Sequence, residues 1–410
     1  MSVATHTLAH DSRILGLIGT GHFFSHFYQL SFPPLLLIWR VEFGASFAAL
    51  GLIITLFALA TGLAQIPAGM LVDRFGARPV LVIGLLIIGG AVAAMSMAPN
   101  IELLFLFAIV AGIGNSVFHP ADYSILNSSI DPARIGKAFS FHTFSGHLGG
   151  AIAPTTIIFL VTLYDWRSAL LASGLAGVAV SILIFIQGSI LQDDHISKNL
   201  SSRGEENDGL NWKASARLLL SKQMILFFLF FLLASLTSGG VQSFSVVAVV
   251  EVHNISLPNA STALTTFLFA SAFGILLGGV AADYAGKHEW MAAICFLVCA
   301  VIFSSLAIWI YPAGIMIIVF IIAGLAQGII RPARDMMVRA FAPKGTTGRV
   351  FAFTSTGIAF GSGVAPVLFG FIIDQNGATW IFWLLAIFNL LAIGTILGQH
   401  RLSGNWKTLS

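Results

Sequence analysis

The chain repeats itself at an offset of 212 residues, and the repeat runs through its apolar segments. In one ungapped frame Gly112, Pro120, Ala121, Gly136, Lys137, Phe139, Phe141, Gly149, Ala153 and Pro154 line up with Gly324, Pro332, Ala333, Gly348, Arg349, Phe351, Phe353, Gly361, Ala365 and Pro366. Two copies of one apolar unit constrain the fold more tightly than any single motif. A membrane protein built this way has an interface between its copies, and transporters commonly bind their substrates at such an interface.

Hydrophobic residues make up 57% of the 410 positions and charged residues 9%, against about 25% charged in soluble domains. That length accommodates twelve spans of roughly 20 residues each plus short loops. The stretch Met1 to Asp11 is polar and short, and the first apolar run, from Ile14, is long enough for a full span. No cleavable signal peptide is therefore expected. Cys295 and Cys299 are one helical turn apart in an apolar segment. They read as packing residues, because a disulfide within one turn is strained. The net charge of +3 sits in loops, so it bears on topology and does not point to nucleic acid.

Apolar runs between charged or Pro/Gly-rich breaks predict helices over 13–37, 46–71, 79–98, 102–128, 137–162, 168–190, 222–250, 261–283, 290–310, 313–339, 349–373 and 379–399. The expectation is an all-α membrane protein with 12 transmembrane helices in two pseudo-symmetric six-helix bundles, 1–190 and 222–410. The longest polar stretch, 191–221, includes Gln192-Asp193-Asp194 and Arg203 to Asp208 and reads as the linker between them. Seventeen of the 20 basic residues fall on one side of this topology, Arg40 and Arg167 on the other, and Arg331 on neither. Basic loops stay in the cytoplasm, so both termini and the linker are expected there.

The loop after the second span reads Gly69-Met-Leu-Val-Asp73-Arg74-Phe-Gly76-Ala-Arg78. Asp73 suits the N-terminus of a neighbouring helix, Arg74 and Arg78 suit acids on adjacent cytoplasmic ends, and Gly69 permits close helix approach. The second half keeps a worn copy in Gly279, Asp283, Gly286 and Lys287, with Tyr284 where the first half has Arg74. This pattern resembles the signature loop of the major facilitator superfamily, and its two copies extend the resemblance over the whole chain. The resemblance implies a non-enzymatic, monomeric transporter of the bacterial inner membrane that works by alternating access. It makes Gly69, Asp73, Arg74, Gly76, Arg78, Asp283 and Lys287 candidates for conformational gating. Gly114-Asn-Ser-Val-Phe-His119-Pro120 in the fourth span is similar to the fosmidomycin-resistance-like group of bacterial facilitators. Two departures weigh against a proton-coupled drug antiporter. Such proteins carry an Arg four residues before the fourth span's Gly, where this chain has Ala108 before Gly112. Their fifth span carries Gly-Pro-x-x-Gly-Gly, whereas here Gly149-Gly150 precedes Pro154.

Ionisable residues at membrane depth are costly and are functional hypotheses by default. Here they are His22, His26, His119, Asp122, His142, His147, Arg331, Arg334 and Asp335. Arg331 falls some eight residues, or ~12 Å, from the cytoplasmic end of its span. Its permanently charged planar fork suits a carboxylate, sulfonate or phosphonate. An ion pair with Asp122 or Asp335 is the structural alternative. His119 occupies the same repeat position as Arg331, and each precedes a proline, which frees a carbonyl one turn earlier and bends the helix. Asp122 can share the His119 face, and a His–Asp pair can exchange a proton near neutral pH.

In the first span His22, His26 and Gln29 form a polar stripe, with Ser25 and Tyr28 in the same stretch. A His-x-x-x-His pair can ligate zinc or copper, but no Cys or Glu cluster lies nearby, so no metal and no cofactor is expected. In the fifth span His142 and His147 do not share a face closely, and His142 is the better cavity candidate. The seventh span carries Ser235, Thr237, Ser238, Gln242, Ser243 and Ser245, interrupted by Gly239-Gly240. It is a candidate gate with Gln242 as a hydrogen bonder, unless its hydroxyls only satisfy their own backbone. Of the many phenylalanines, Phe23, Phe118 and Phe244 are candidate cavity walls.

The expected function is a secondary transporter of a small organic anion, proton-coupled, with the bilayer and protons as its other partners. Substrate binding is assigned to Arg331, His119, His22, His26, Gln29, Gln242, His142 and Tyr28, and proton coupling to His119, Asp122 and His26. The alternative is a proton-driven exporter of multiple drugs or of a fosmidomycin-like antibiotic. An enzyme or sensor is disfavoured. There is no His-Glu-x-x-His or Gly-x-Ser-x-Gly run, no nucleotide-binding motif, and no loop long enough for a catalytic domain.

Overall fold

A computed structural model of the chain describes residues 7–131, 134–191, 220–285, 288–341 and 347–406. Most of the expected linker, together with Gly286 and Lys287, lies outside the described residues, as do the side chains of Asp283 and Asp335. Among the described residues every regular element is helical. That is the outcome a bilayer imposes, since a helix pairs its own backbone polar groups where no water can.

The first half comprises α1 (Leu8–Gln29), α2 (Leu36–Phe43), α3 (Phe47–Phe75), α4 (Ala77–Met95), α5 (Ile101–Asn115), α6 (Phe118–Ser129), α7 (Ile135–Leu163) and α8 (Trp166–Gln187). The second comprises α9 (Lys222–His253), α10 (Leu257–Ala285), α11 (His288–Ile308), α12 (Ala313–Phe341), α13 (Thr347–Asn376) and α14 (Thr379–Trp406). Among the described residues, 11 spans are long and apolar enough to cross a membrane, with α5 and α6 counted as one. The twelfth is α1, whose Asp11, His22, Ser25, His26 and Gln29 dilute its apolar character. Large side chains on the outer faces, such as Leu63 and Ile66, are 77% exposed, a patterning that only lipid tolerates.

Two elements depart from the sequence expectation. The first span ends at Gln29 and not near residue 37. Consecutive prolines in the 3-10 turn Pro33–Leu35 lack amide donors, and a separate short helix, α2, follows. The fourth span breaks at Ser116 and Val117. Pro120 then sits in the first turn of α6, where a missing N–H costs nothing. Its repeat partner Pro332 stays inside the continuous α12. The two halves therefore do not carry equivalent kinks.

Contacts divide the chain into two compact units. One is Met1–Ala45 with Leu52–Glu206; the other is Ser46–Gly51 with Asn207–Ser410. In the first, α1 lies along α7, and α4 along α8. Trp39 packs edge-on against Trp166, and Phe32 against Phe57. In the second, Met224, Phe227, Phe230, Phe231, Phe296, Ile330 and Met337 form a core between α9, α11 and α12. The placement of Ser46–Gly51 in the second unit has a local cause. Asp374 of α13 accepts from the backbone N–H groups of Phe47 and Ala48 at 2.9 and 2.8 Å, and Ser46 Oγ accepts from Ala49 at 3.1 Å.

Candidate functional site

The first unit holds a buried group of ionisable side chains on three helices. Asp122 of α6 is fully buried, and His22 of α1 and His142 of α7 are 3% and 1% exposed. Asp122 Oδ2 lies 2.8 Å from His142 Nε2, within hydrogen-bond distance, and 3.5 Å from His22 Nδ1. The His22 and His142 rings stack with centroids 3.7 Å apart. His26 and His119 meet the His22 ring edge-on at 4.8 and 5.4 Å, and His147 lies 6.3 Å from His26. Exposed His119 and Tyr123 pack ring against ring at the margin of the group, 5.5 Å apart. Phe118 is buried beside it, 6.5 Å from His22.

Helix spacing explains part of this assembly. His22 and His26 are four apart and share a face, as expected. Asp122 does not pair with His119; its partners come from the neighbouring helices. Gly146 makes the packing possible. A Cβ there would fall 2.6 Å from the His22 ring and 2.7 Å from that of His26. Sequence reasoning missed Gly146. It also missed the adjoining chain in which Ser25 Oγ donates to Asn115 Oδ1 at 2.6 Å and Asn115 Nδ2 lies 3.4 Å from Thr61 Oγ1. The only signal for these was position: Ser25 lies three residues from His22, and Asn115 lies within the motif that runs from Gly114 to Pro120.

Other expected site residues are engaged elsewhere. Tyr28 is fully buried, and its hydroxyl donates to the Ser173 carbonyl of α8 at 2.9 Å. It is a helix-packing residue. Gln29 is half-buried, as is Gln242, which donates to Ser238 Oγ at 3.0 Å. Gly239 and Gly240 do not interrupt α9, which runs unbroken from Lys222 to His253. Gly240 instead leaves room for the Phe369 ring of α13. Thr237 bonds its own backbone at Leu233, while Ser235 reaches the Ile358 carbonyl across to α13. Phe244 is buried edge-on against Phe47. Arg331 is half-buried within α12, one turn from Arg334, whose guanidinium lies 4.5 Å over the Phe231 ring.

The expected gating loop is a sharp reversal between α3 and α4, turned at Gly76 with φ of +89°, a conformation open to glycine. Arg78 donates to the Phe185 carbonyl at 2.6 Å, a cation at the C-terminal end of α8. Asp73 and Arg74 are exposed. Gly69 has no neighbour within 4 Å of where a Cβ would stand, so it does not serve close helix approach.

The model of the Major Facilitator Superfamily matches residues 18–257 and 228–402. The chain belongs to this superfamily. It is accordingly a secondary transporter and not an enzyme, a multi-pass protein whose bacterial relatives point to the cytoplasmic membrane. Within the superfamily it is 25% identical over 398 residues to the "Fosmidomycin resistance protein" of Escherichia coli (strain K12), covering 93% of this chain and 92% of that one. It is 28% identical to the "Probable sulfoacetate transporter SauU" of Cupriavidus necator, over 42% of this chain and 40% of the relative. It is also 28% identical to the "Probable L-galactonate transporter" of Escherichia coli (strain K12), over 35% and 32%. In fold it is similar to the inward-facing, occupied structure of a bacterial homologue of the human lysosomal transporter Spinster. That match has a TM-score of 0.78 and 16% identity, covering 96% of this chain and 98% of that one.

Proposed function

We propose that this superfamily member carries a small organic anion, a carboxylate, sulfonate or phosphonate, across the cytoplasmic membrane by alternating access coupled to protons. The observation that carries the reading is Arg331, a guanidinium held half-buried within the α12 span, one turn from Arg334. Keeping a permanent charge there is expensive, and a planar fork of donors recovers that cost best against an oxyanion. The partial matches to relatives named for sulfoacetate and L-galactonate, both anions, support the same substrate class. In this reading the N-terminal half contributes His22, His26, His119, Asp122 and His142, three of them buried, together with Gln29, and the second half contributes Gln242.

A second reading, export of an antibiotic, is favoured by the full-length match to a protein named for fosmidomycin resistance. Purified protein screened by thermal shift against organic anions, with Arg331→Ala alongside, tests the proposal. One anion class should raise the melting temperature of the parent protein and not that of the variant. Equal shifts, or none, sink the anion reading. Flux of the stabilising anion into proteoliposomes with an imposed pH gradient, abolished by a protonophore, tests the coupling. Resistance conferred on cells without such uptake would favour export.

A further inference from the structure

Asp122 meets its charge on one oxygen only. Oδ2 faces His142 and His22, whereas Oδ1 is buried with no hydrogen-bond partner, and His22 Nδ1 likewise makes no hydrogen bond. Each such orphan in an apolar bundle is destabilising, because it has given up water without gaining a partner. A single proton between His142 and Asp122 relieves neither of them.

One potential ligand atom from each of His22, Asp122 and His142 lies within 4.8 Å of the other two. An ion bound tetrahedrally by imidazole nitrogen and carboxylate oxygen spaces its ligands roughly 3.3–3.5 Å apart. The His22–Asp122 separation of 3.5 Å already has that value, and the His142–Asp122 separation of 2.8 Å has only to open once the shared proton leaves. Two imidazoles and one carboxylate select a borderline transition metal over calcium or magnesium, which take all-oxygen shells.

We propose that His22, Asp122 and His142 form a binding site for a divalent transition-metal ion of the zinc class. Asp122 Oδ1 is placed to make the carboxylate bidentate, and water completes the shell. Exposed His119 and Tyr123 mark the route by which the ion arrives. Bound there, the ion ties α1, α6 and α7 together. The inference stands on the N-terminal unit alone and does not depend on which anion is carried.

The test uses full-length, tag-free protein stripped with a chelator and titrated with Co2+ as the optical probe and Zn2+ by calorimetry. The expected result is one ion per chain. Co2+ should show the intense visible bands of a four- or five-coordinate site, displaced by one equivalent of Zn2+. Asp122→Asn, nearly isosteric, and His142→Gln should each weaken binding at least tenfold, a loss on the order of that from disturbing a metal site's supporting shell. His10→Gln, at the far end of α1, should bind as the parent does. Elution and thermal unfolding establish that each variant is folded. If His142→Gln is not, Asp122→Asn with His22→Gln carries the comparison. A Co2+ spectrum that stays that of the hydrated ion means water alone occupies the site, and the proposal fails. It fails equally if both folded variants bind like the parent.

Discussion

Asp122 of α6 and His142 of α7, twenty residues apart, meet at 2.8 Å with almost no access to solvent. The two partners should not be equally costly to remove. His142→Ala leaves a buried carboxylate facing only His22 Nδ1 at 3.5 Å, and stripping one partner from a buried charge costs about 3–5 kcal/mol. Asp122→Asn leaves neutral groups behind and should cost about 1–3 kcal/mol. Thermal unfolding in detergent ranks the two. A milder effect for His142→Ala would mean that Asp122 is not held as a carboxylate.

Gly146 is required by the two histidine rings it faces. A methyl group at 2.6 Å from the His22 ring cannot be relieved by a flexible chain end, since His22 is itself stacked on His142. Gly146→Ala should therefore cost about 1–3 kcal/mol, as overpacking does, and should impair transport more than Gly136→Ala. Gly136 lies on the same helix with open space around it. Matched unfolding and flux measurements on the two variants check this.

The first turn of α3 presents three amides in a row to side-chain acceptors, two of them to Asp374. Asp374→Ala should lower stability by about 1–2 kcal/mol, as loss of a helix cap does, and by more than Ser46→Ala, which frees a single amide. Equal losses would show that the carboxylate adds nothing beyond one hydrogen bond.

Asp165 caps α8 by accepting from the Ser168 backbone N–H at 2.6 Å, and this bond holds its carboxyl below the usual carboxylate range. A depressed pKa in the folded state means that the cap stabilises fully above the unfolded carboxylate value of about 3.9. That contribution is lost as pH falls through the lower folded value. The stability gap between the parent and Asp165→Ala should be constant near neutral pH and close below about pH 4. A gap that persists in acid would attribute the cap to something other than the ionised carboxylate.

The number of spans, their approximate bounds and the twofold construction were legible in the chain itself. Bilayer thickness converts directly into the length of an apolar run, and a repeat needs no structure to be seen. So was the short set of ionisable residues at depth. Their partners were legible only within one helix. Three- and four-residue spacing correctly joined His22 to His26, but it suggested His119 as the mate of Asp122, when the mate is His142. That choice depends on how α1, α6 and α7 pack. The packing depends in turn on a glycine that carries no chemistry of its own, Gly146. Tyr28 shows the same limit. Its place in the polar stretch of α1 suggested a binding role, and only the approach of α8 turned its hydroxyl to the Ser173 carbonyl. Periodicity along one helix determines which residues share a face. Which faces meet is decided by side-chain volume across helices far apart in the chain, and here that decision created the buried His22–Asp122–His142 group.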